Sequence, residues 1–121
     1  MILDKCKLVS LNVRGINNFR KRRTIYTWCR KQKADFIFLQ ETHSKHATER
    51  QWKNERGGEI ITSHGSPNSR GVAILFNKGV DCIIPSKILD PVGRYVILKV
   101  EIKDKMYLLI NIYAPNTYLL T

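Results

Sequence analysis

Cysteine is scarce and scattered: the three residues Cys6, Cys29 and Cys82 lie far apart with no CxxC pair. That spacing argues against a disulfide framework and a zinc ribbon, and leaves each as a small buried hydrophobe. No apolar run approaches the ~18 residues that a membrane span needs. The opening Met1-Ile2-Leu3-Asp4-Lys5 lacks the basic-then-apolar layout of a secretory signal, so an intracellular location is expected. Repeats, low-complexity tracts and long linkers are also missing. A chain of 121 residues with 43% apolar content then fits one globular domain.

The other scarcity is acid. Asp and Glu number 10 against 21 Lys and Arg, for a net charge of +11. The excess is lopsided, since residues 1–40 hold ten basic and two acidic side chains. Such a field draws in a polyanion, either nucleic acid or an anionic membrane surface. A merely soluble basic surface is the plain reading beside it.

What is present falls into short elements. Residues 6–13 alternate with Val9, Leu11 and Val13 on one side, the pattern of a strand. Asn17 or Asn18 can cap a helix running to about Lys33. Ile25, Trp28 and Cys29 would be its buried stripe, and Arg20, Lys21, Arg22, Arg23, Arg30 and Lys31 its basic remainder. The apolar run Phe36–Leu39 reads as a strand buried on both faces, completing a βαβ unit. A partly helical stretch at 47–55 follows, then strands at 59–63, 71–76, 80–84, 94–102 and 106–113. The last two are joined by a tight turn at Asp104. The expected fold is α/β (α+β), with a mixed sheet that starts as βαβ and continues antiparallel. So few helices would leave an apolar sheet face uncovered.

Polar residues gather where the strands end. Asn12 closes the first strand, Gln40 and Glu41 follow the buried one, and Tyr113 and Asn116 follow the last. If the first two strands are parallel neighbours, Asn12 and Glu41 meet at an edge where open α/β sheets bind ligands. A single carboxylate beside a neutral amide suits Mg²⁺, which keeps several waters and takes further oxygens from a substrate phosphate. Each residue also has a plain reading: Glu41 as an exposed carboxylate, Asn12 and Asn116 as turn residues, Tyr113 as a rim aromatic. A rival metal reading places zinc on Glu41, His43 and His46, although no third His or Cys lies close by. His64, in a Gly/Ser/Pro loop, reads as exposed.

Five segments occur in order: Leu8-Val-Ser-Leu-Asn12-Val-Arg-Gly15-Ile, Phe38-Leu-Gln-Glu41-Thr42-His43, Arg70-Gly-Val-Ala-Ile-Leu75, Gly93-Arg94-Tyr95 and Asn111-Ile-Tyr113-Ala-Pro-Asn116. Together they resemble the endonuclease/exonuclease/phosphatase superfamily, most closely the LINE-type retrotransposon endonuclease, over essentially the whole chain. The resemblance implies half of a four-layer α/β sandwich. It makes Glu41 the metal-binding glutamate, with Asn12 ordering the Mg²⁺ or Mn²⁺ site beside it. It makes Tyr113 a hydrogen-bond donor to the scissile phosphate and Asn116 the residue that closes the loop. Arg94 and Tyr95 match a less uniform motif. With Arg14, Arg20, Arg22 and Arg23 they are the expected nucleic-acid contacts.

The reaction so implied is phosphodiester hydrolysis on DNA, in the nucleus for a working element, with a reverse transcriptase as the expected companion domain. No membrane association is expected. The family's later Gly-Asp-Phe-Asn segment, a further Asp and the Ser-Asp-His pair have no counterpart here. Residues 1–121 therefore read as the N-terminal portion of such a domain, inactive alone and missing its C-terminal half as partner. Repair-type apurinic endonucleases and lipid or inositol phosphatases remain alternatives within the superfamily, although Leu11 stands where repair enzymes often carry Trp. A non-catalytic basic nucleic-acid-binding module is the alternative outside it.

Overall fold

The computed structural model describes residues 6–114. Strand β1 (Leu8–Asn12) leads through helix α1 (Phe19–Lys31) into β2 (Phe36–Gln40). The two strands pair in parallel, Leu8 opposite Phe36 and Asn12 opposite Gln40. A 3₁₀ turn (His46–Thr48) and helix α2 (Glu49–Arg56) precede β3 (Ile60–Ser63) and β4 (Val72–Phe76). Both of these join antiparallel, giving a four-stranded sheet in the order β1-β2-β4-β3. The remaining strands, β5 (Ile83–Leu89), β6 (Tyr95–Ile102) and β7 (Lys105–Ile112), form a separate antiparallel sheet.

Period-2 alternation sorts the side chains into two cores. Ile37, Leu39, Ala73 and Leu75 face the helices and pack with Tyr26, Cys29 and Trp52. Phe36, Ile74 and Phe76 face the other way, onto Val96, Leu98, Val100 and Leu109 of the second sheet. The central strands β2 and β4 are thus covered on both sides, as the unbroken apolar run in β2 implied. The described layers are helices, mixed sheet and antiparallel sheet, in agreement with the α/β expectation.

Two element readings change. The buried stripe of α1 is Arg22, Tyr26 and Cys29, so Trp28 lies outside it and is 38% exposed. Tyr26 takes the inward place, and an apolar count that omitted it rotated the stripe. Of the three cysteines expected to be buried only Cys29 is, and that burial pushes its thiol up to about 11; Cys6 and Cys82 are half-buried. The strand expected at 80–84 lies later, at Ile83–Leu89, with a register shift between Ile83 and Ser86 around Pro85. Pro lacks the N–H that a ladder needs and is accommodated at this edge position with its irregular pairing.

The outer face of the second sheet carries Ile88, Ile97 and Ile110 in register, flanked by Leu108 and Ile112. Ile112 is 60% exposed and Leu108 61% exposed. This is the uncovered apolar surface that the shortage of helices foretold.

Candidate active site

The ends of β1 and β2 continue to pair after their side chains leave the sheet. Val13 N–H donates to Gln40 O at 2.9 Å, Gly15 N–H to Glu41 O at 2.6 Å and Ile16 N–H to Thr42 O at 3.1 Å. On the other flank Thr42 and His43 N–H groups donate to Gly71 and Arg70 carbonyls at 3.0 and 2.9 Å. Within this pinned region Arg14, Glu41, His43 and Arg70 adopt φ between 50° and 61°. Non-glycine residues in the left-handed region cost energy and gather at functional sites, where surrounding contacts hold them. The chain passes too closely here for larger neighbours. A Cβ on Gly15 would lie 2.5 Å from the His43 ring, and one on Gly71 2.4 Å from Thr42 Oγ1.

Asn12 Oδ1 accepts a hydrogen bond from Arg14 N–H at 3.0 Å, which fixes its side chain at the strand end. Tyr113 follows β7, and its N–H donates to Arg94 O at 2.7 Å. Asn12 and Tyr113 line one open cleft of about 350 Å³, together with Ser10, Phe38, Gln40 and Asn111. Glu41 is not among the lining residues. It sits one position beyond Gln40, half-buried, and takes part in none of the three ion pairs among the described residues. Asn116 lies outside the described residues.

The cleft owes its shape to a residue given no separate role from sequence. Asn111 is 2% exposed and points from the second sheet into the first. Its Nδ2 donates to Leu39 O at 3.0 Å and Ala73 O at 2.8 Å, and its Oδ1 accepts from Gln40 Nε2 at 2.9 Å. Gln40 Nε2 lies 3.0 Å from Ser10 Oγ, so a polar tie runs from β7 through β2 to β1. The available signal was an amide at an inward position of an alternating strand, two residues after buried Leu109.

The proposed nucleic-acid contacts divide. Arg14, Arg20 and Arg23 are exposed. Arg94 is also exposed, while its Nε donates to the buried Asp90 carboxylate at 2.9 Å and holds that carboxyl below its usual range. Tyr95 pairs with Ile112 on the outer face of the second sheet. Arg22 departs from the group: it is 3% exposed. Its guanidinium donates to Glu55 at 2.6 and 2.8 Å and to the carbonyls of Ile16 and Asn17, both at 3.0 Å. It also lies 4.9 Å from the Trp52 ring centroid. Its place opposite α2 draws it inward, so it is unavailable to a polyanion.

The histidines also differ from expectation. His64 is buried, with Nδ1 3.0 Å from Ser44 Oγ and Nε2 2.8 Å from Glu49 Oε1. Burial opposes the Glu49 charge, yet the bond from His64 and the nearby Lys53 keep its carboxyl below the ordinary value. His46 packs at a tilt against His64, 4.3 Å between centroids, and His43 lies over Gly15. Among the described residues no group of three or more His, Cys, Asp or Glu is placed to share a metal, which removes the zinc reading. One carboxylate and one amide oxygen at adjacent strand ends form a donor set compatible with Mg²⁺, which relies on water and substrate for the rest.

Two stacked sheets, helices on one outer face and a polar cleft at the strand ends make a layered α/β fold. The chain belongs to the endonuclease/exonuclease/phosphatase family, whose model matches residues 9–115. It is 31% identical over 108 residues to the uncharacterized 149 kDa protein of transposon TX1 from Xenopus laevis, which covers 89% of this chain and 8% of that protein. The chain thus spans only a small part of that relative. Among solved structures it is similar to the AP endonuclease LMAP of Leishmania major, with a TM-score of 0.68 and 18% identity over 94% of this chain and 41% of the other. It is also similar to the endonuclease domain of TRAS1, a telomere-specific non-LTR retrotransposon, with a TM-score of 0.55 and 15% identity over 91% and 46%. At these identities the structural likenesses establish the fold alone.

Proposed function

We propose that the cleft is a divalent-metal phosphodiesterase site of retrotransposon type, directed at DNA and working in the nucleus. The observation that carries this reading is the convergence of Asn12 and Tyr113 on one cleft, with Glu41 at the adjoining strand end. The transposon relative supports a nucleic-acid substrate over a small phosphate ester, and so does the charge of +11.

Glu41 and Asn12 would hold Mg²⁺ or Mn²⁺, whose chemistry is to neutralise charge on the phosphate and leaving oxygen. The protein residues do the rest. The pinned backbone holds Glu41 at a positive φ that it would not choose alone. Asn12 is held by its own turn, and the Tyr113 hydroxyl would donate to a phosphate oxygen. Asn116 is the proposed loop-closing residue.

A water nucleophile also needs a base, whose help is worth ~10²–10⁴-fold. His64 is committed to Glu49 and Ser44, and neither His43 nor His46 lines the cleft. The 121-residue chain by itself is therefore proposed to bind metal without turning over. A C-terminal half of the domain and a reverse transcriptase are the proposed partners of the working protein.

The test separates binding from turnover. Mn²⁺ titration followed by electron paramagnetic resonance should show a bound ion in the parent chain, lost in Glu41→Ala with the far-ultraviolet circular dichroism unchanged. Supercoiled plasmid with Mg²⁺ should stay un-nicked. Equal Mn²⁺ uptake by parent and Glu41→Ala would overturn the assigned site, and nicking by the pure chain that vanishes in Glu41→Ala would overturn the claim of inactivity.

A further inference from the structure

The cations of α1 are mostly unanswered. Among the described residues the three ion pairs are Arg22–Glu55, His64–Glu49 and Arg94–Asp90, so no exposed cation of α1 belongs to one. The helix has no acid in its first turn and carries Arg30 and Lys31 in its last. The buried stripe is Arg22, Tyr26 and Cys29. At 100° per residue, Arg20, Thr24 and Lys31 therefore point away from the core.

In that outward surface lies Trp28. Arg23, Thr24, Thr27, Trp28 and Lys31 line one shallow groove, in which an indole 38% exposed is flanked by a guanidinium and an ammonium. Cations that track phosphates beside an aromatic face that accepts an unpaired base are the two parts of a single-strand binding platform.

The geometry points to this face of α1 as a second binding site, for single-stranded nucleic acid, separate from the cleft. Val9 and Leu11 of β1 pack on the core shared with the helices, whereas Ser10 and Asn12 line the cleft. The site and the cleft thus lie on opposite faces of the first sheet. A duplex keeps its base faces stacked and could use only the charges, so Trp28 selects for an unpaired strand. An anionic membrane would want a broad apolar stripe on the outer face. This groove offers one indole beside two threonines, which favours nucleic acid.

The chain has two tryptophans, and Trp52 is buried, so the fluorescence change on adding a ligand at the surface reports Trp28. Titration with a dT20 oligonucleotide should quench that emission. Each phosphate engaged adds a slope of ~−0.7 in log K against log[salt] for a single strand, so contacts from Arg20, Arg23 and Lys31 give roughly −2. Trp28→Ala should weaken dT20 binding roughly 10- to 100-fold, the worth of one stacked base, while Trp28→Phe keeps most of it.

Arg23→Glu/Lys31→Glu, on exposed positions, should abolish binding and keep the fold. Glu41→Ala should bind dT20 as the parent does, so loss of the metal site and loss of this site are read independently. Three results would overturn the proposal: no quenching by dT20, dT20 affinity unchanged in both Trp28→Ala and the double variant, or quenching by phosphatidylserine vesicles without quenching by dT20.

Discussion

Asn111 shows how much one side chain can decide. It is 2% exposed and makes three hydrogen bonds, and leaving a buried polar group unmatched costs about 1–3 kcal/mol. Asn111→Ala removes both donors and the acceptor for Gln40, so we expect a loss of about 2–3 kcal/mol in urea unfolding. Asn111→Leu should do no better, because the carbonyls of Leu39 and Ala73 lose the same side-chain donor. An unchanged midpoint in both would show that the tie carries no weight. At this scale the sequence was only partly legible. Glu41, Asn12 and Tyr113 stood out because each ends an apolar strand, a pattern visible without coordinates. The burial of Arg22 and His64 was not visible. Each is drawn inward by a carboxylate on α2, 33 and 15 residues away, and distance along the chain hides such pairing.

Between elements, the Arg22–Glu55 pair clamps α1 to α2. The hydrogen bond from Arg22 holds the Glu55 carboxyl below its usual value of 4.5. A carboxyl with a lowered native pKa contributes stability above its unfolded value and loses it as the solution is acidified through the native one. We therefore expect Glu55→Gln to lower the urea midpoint at neutral pH, with the difference from the parent closing below about pH 4.5. A gap that persists in acid would mean that shape, not charge, joins the helices. Local signals served the elements well. Asn18 Oδ1 accepts from Lys21 N–H at 3.0 Å as the cap of α1. Lys103 and Asp104 both turn with positive φ between β6 and β7, the backbone of a two-residue hairpin. Strand β5 was misplaced because Pro85 discouraged a strand through it, and only an edge with irregular pairing accommodates that residue.

For the whole molecule, the apolar outer face of the second sheet is the dominant property. Ile88, Ile97 and Ile110 form a row across three strands, and such contiguous patches mark interaction surfaces or aggregation hazards. The isolated chain should bind a hydrophobic dye and self-associate, and Ile110→Lys/Ile112→Lys should reduce both. A parent chain that stays monomeric without dye binding would refute this. Strands over 94–102 and 106–113, joined by a turn, were legible in the sequence. That they form a sheet separate from the first was not, because the partner of an inward side chain is set by the return path of the chain.

The tie at Asn111 also bears on how the molecule opens. Asn12 and Glu41 ride on one sheet and Tyr113 follows the other, so the relation among them is inherited from how the sheets are locked together. If the sheets part, all three lose their mutual placement in a single event. In native-state hydrogen exchange, the amide protons of Val13 and Gly15 should then share one opening free energy with that of Tyr113, although their strands are not neighbours.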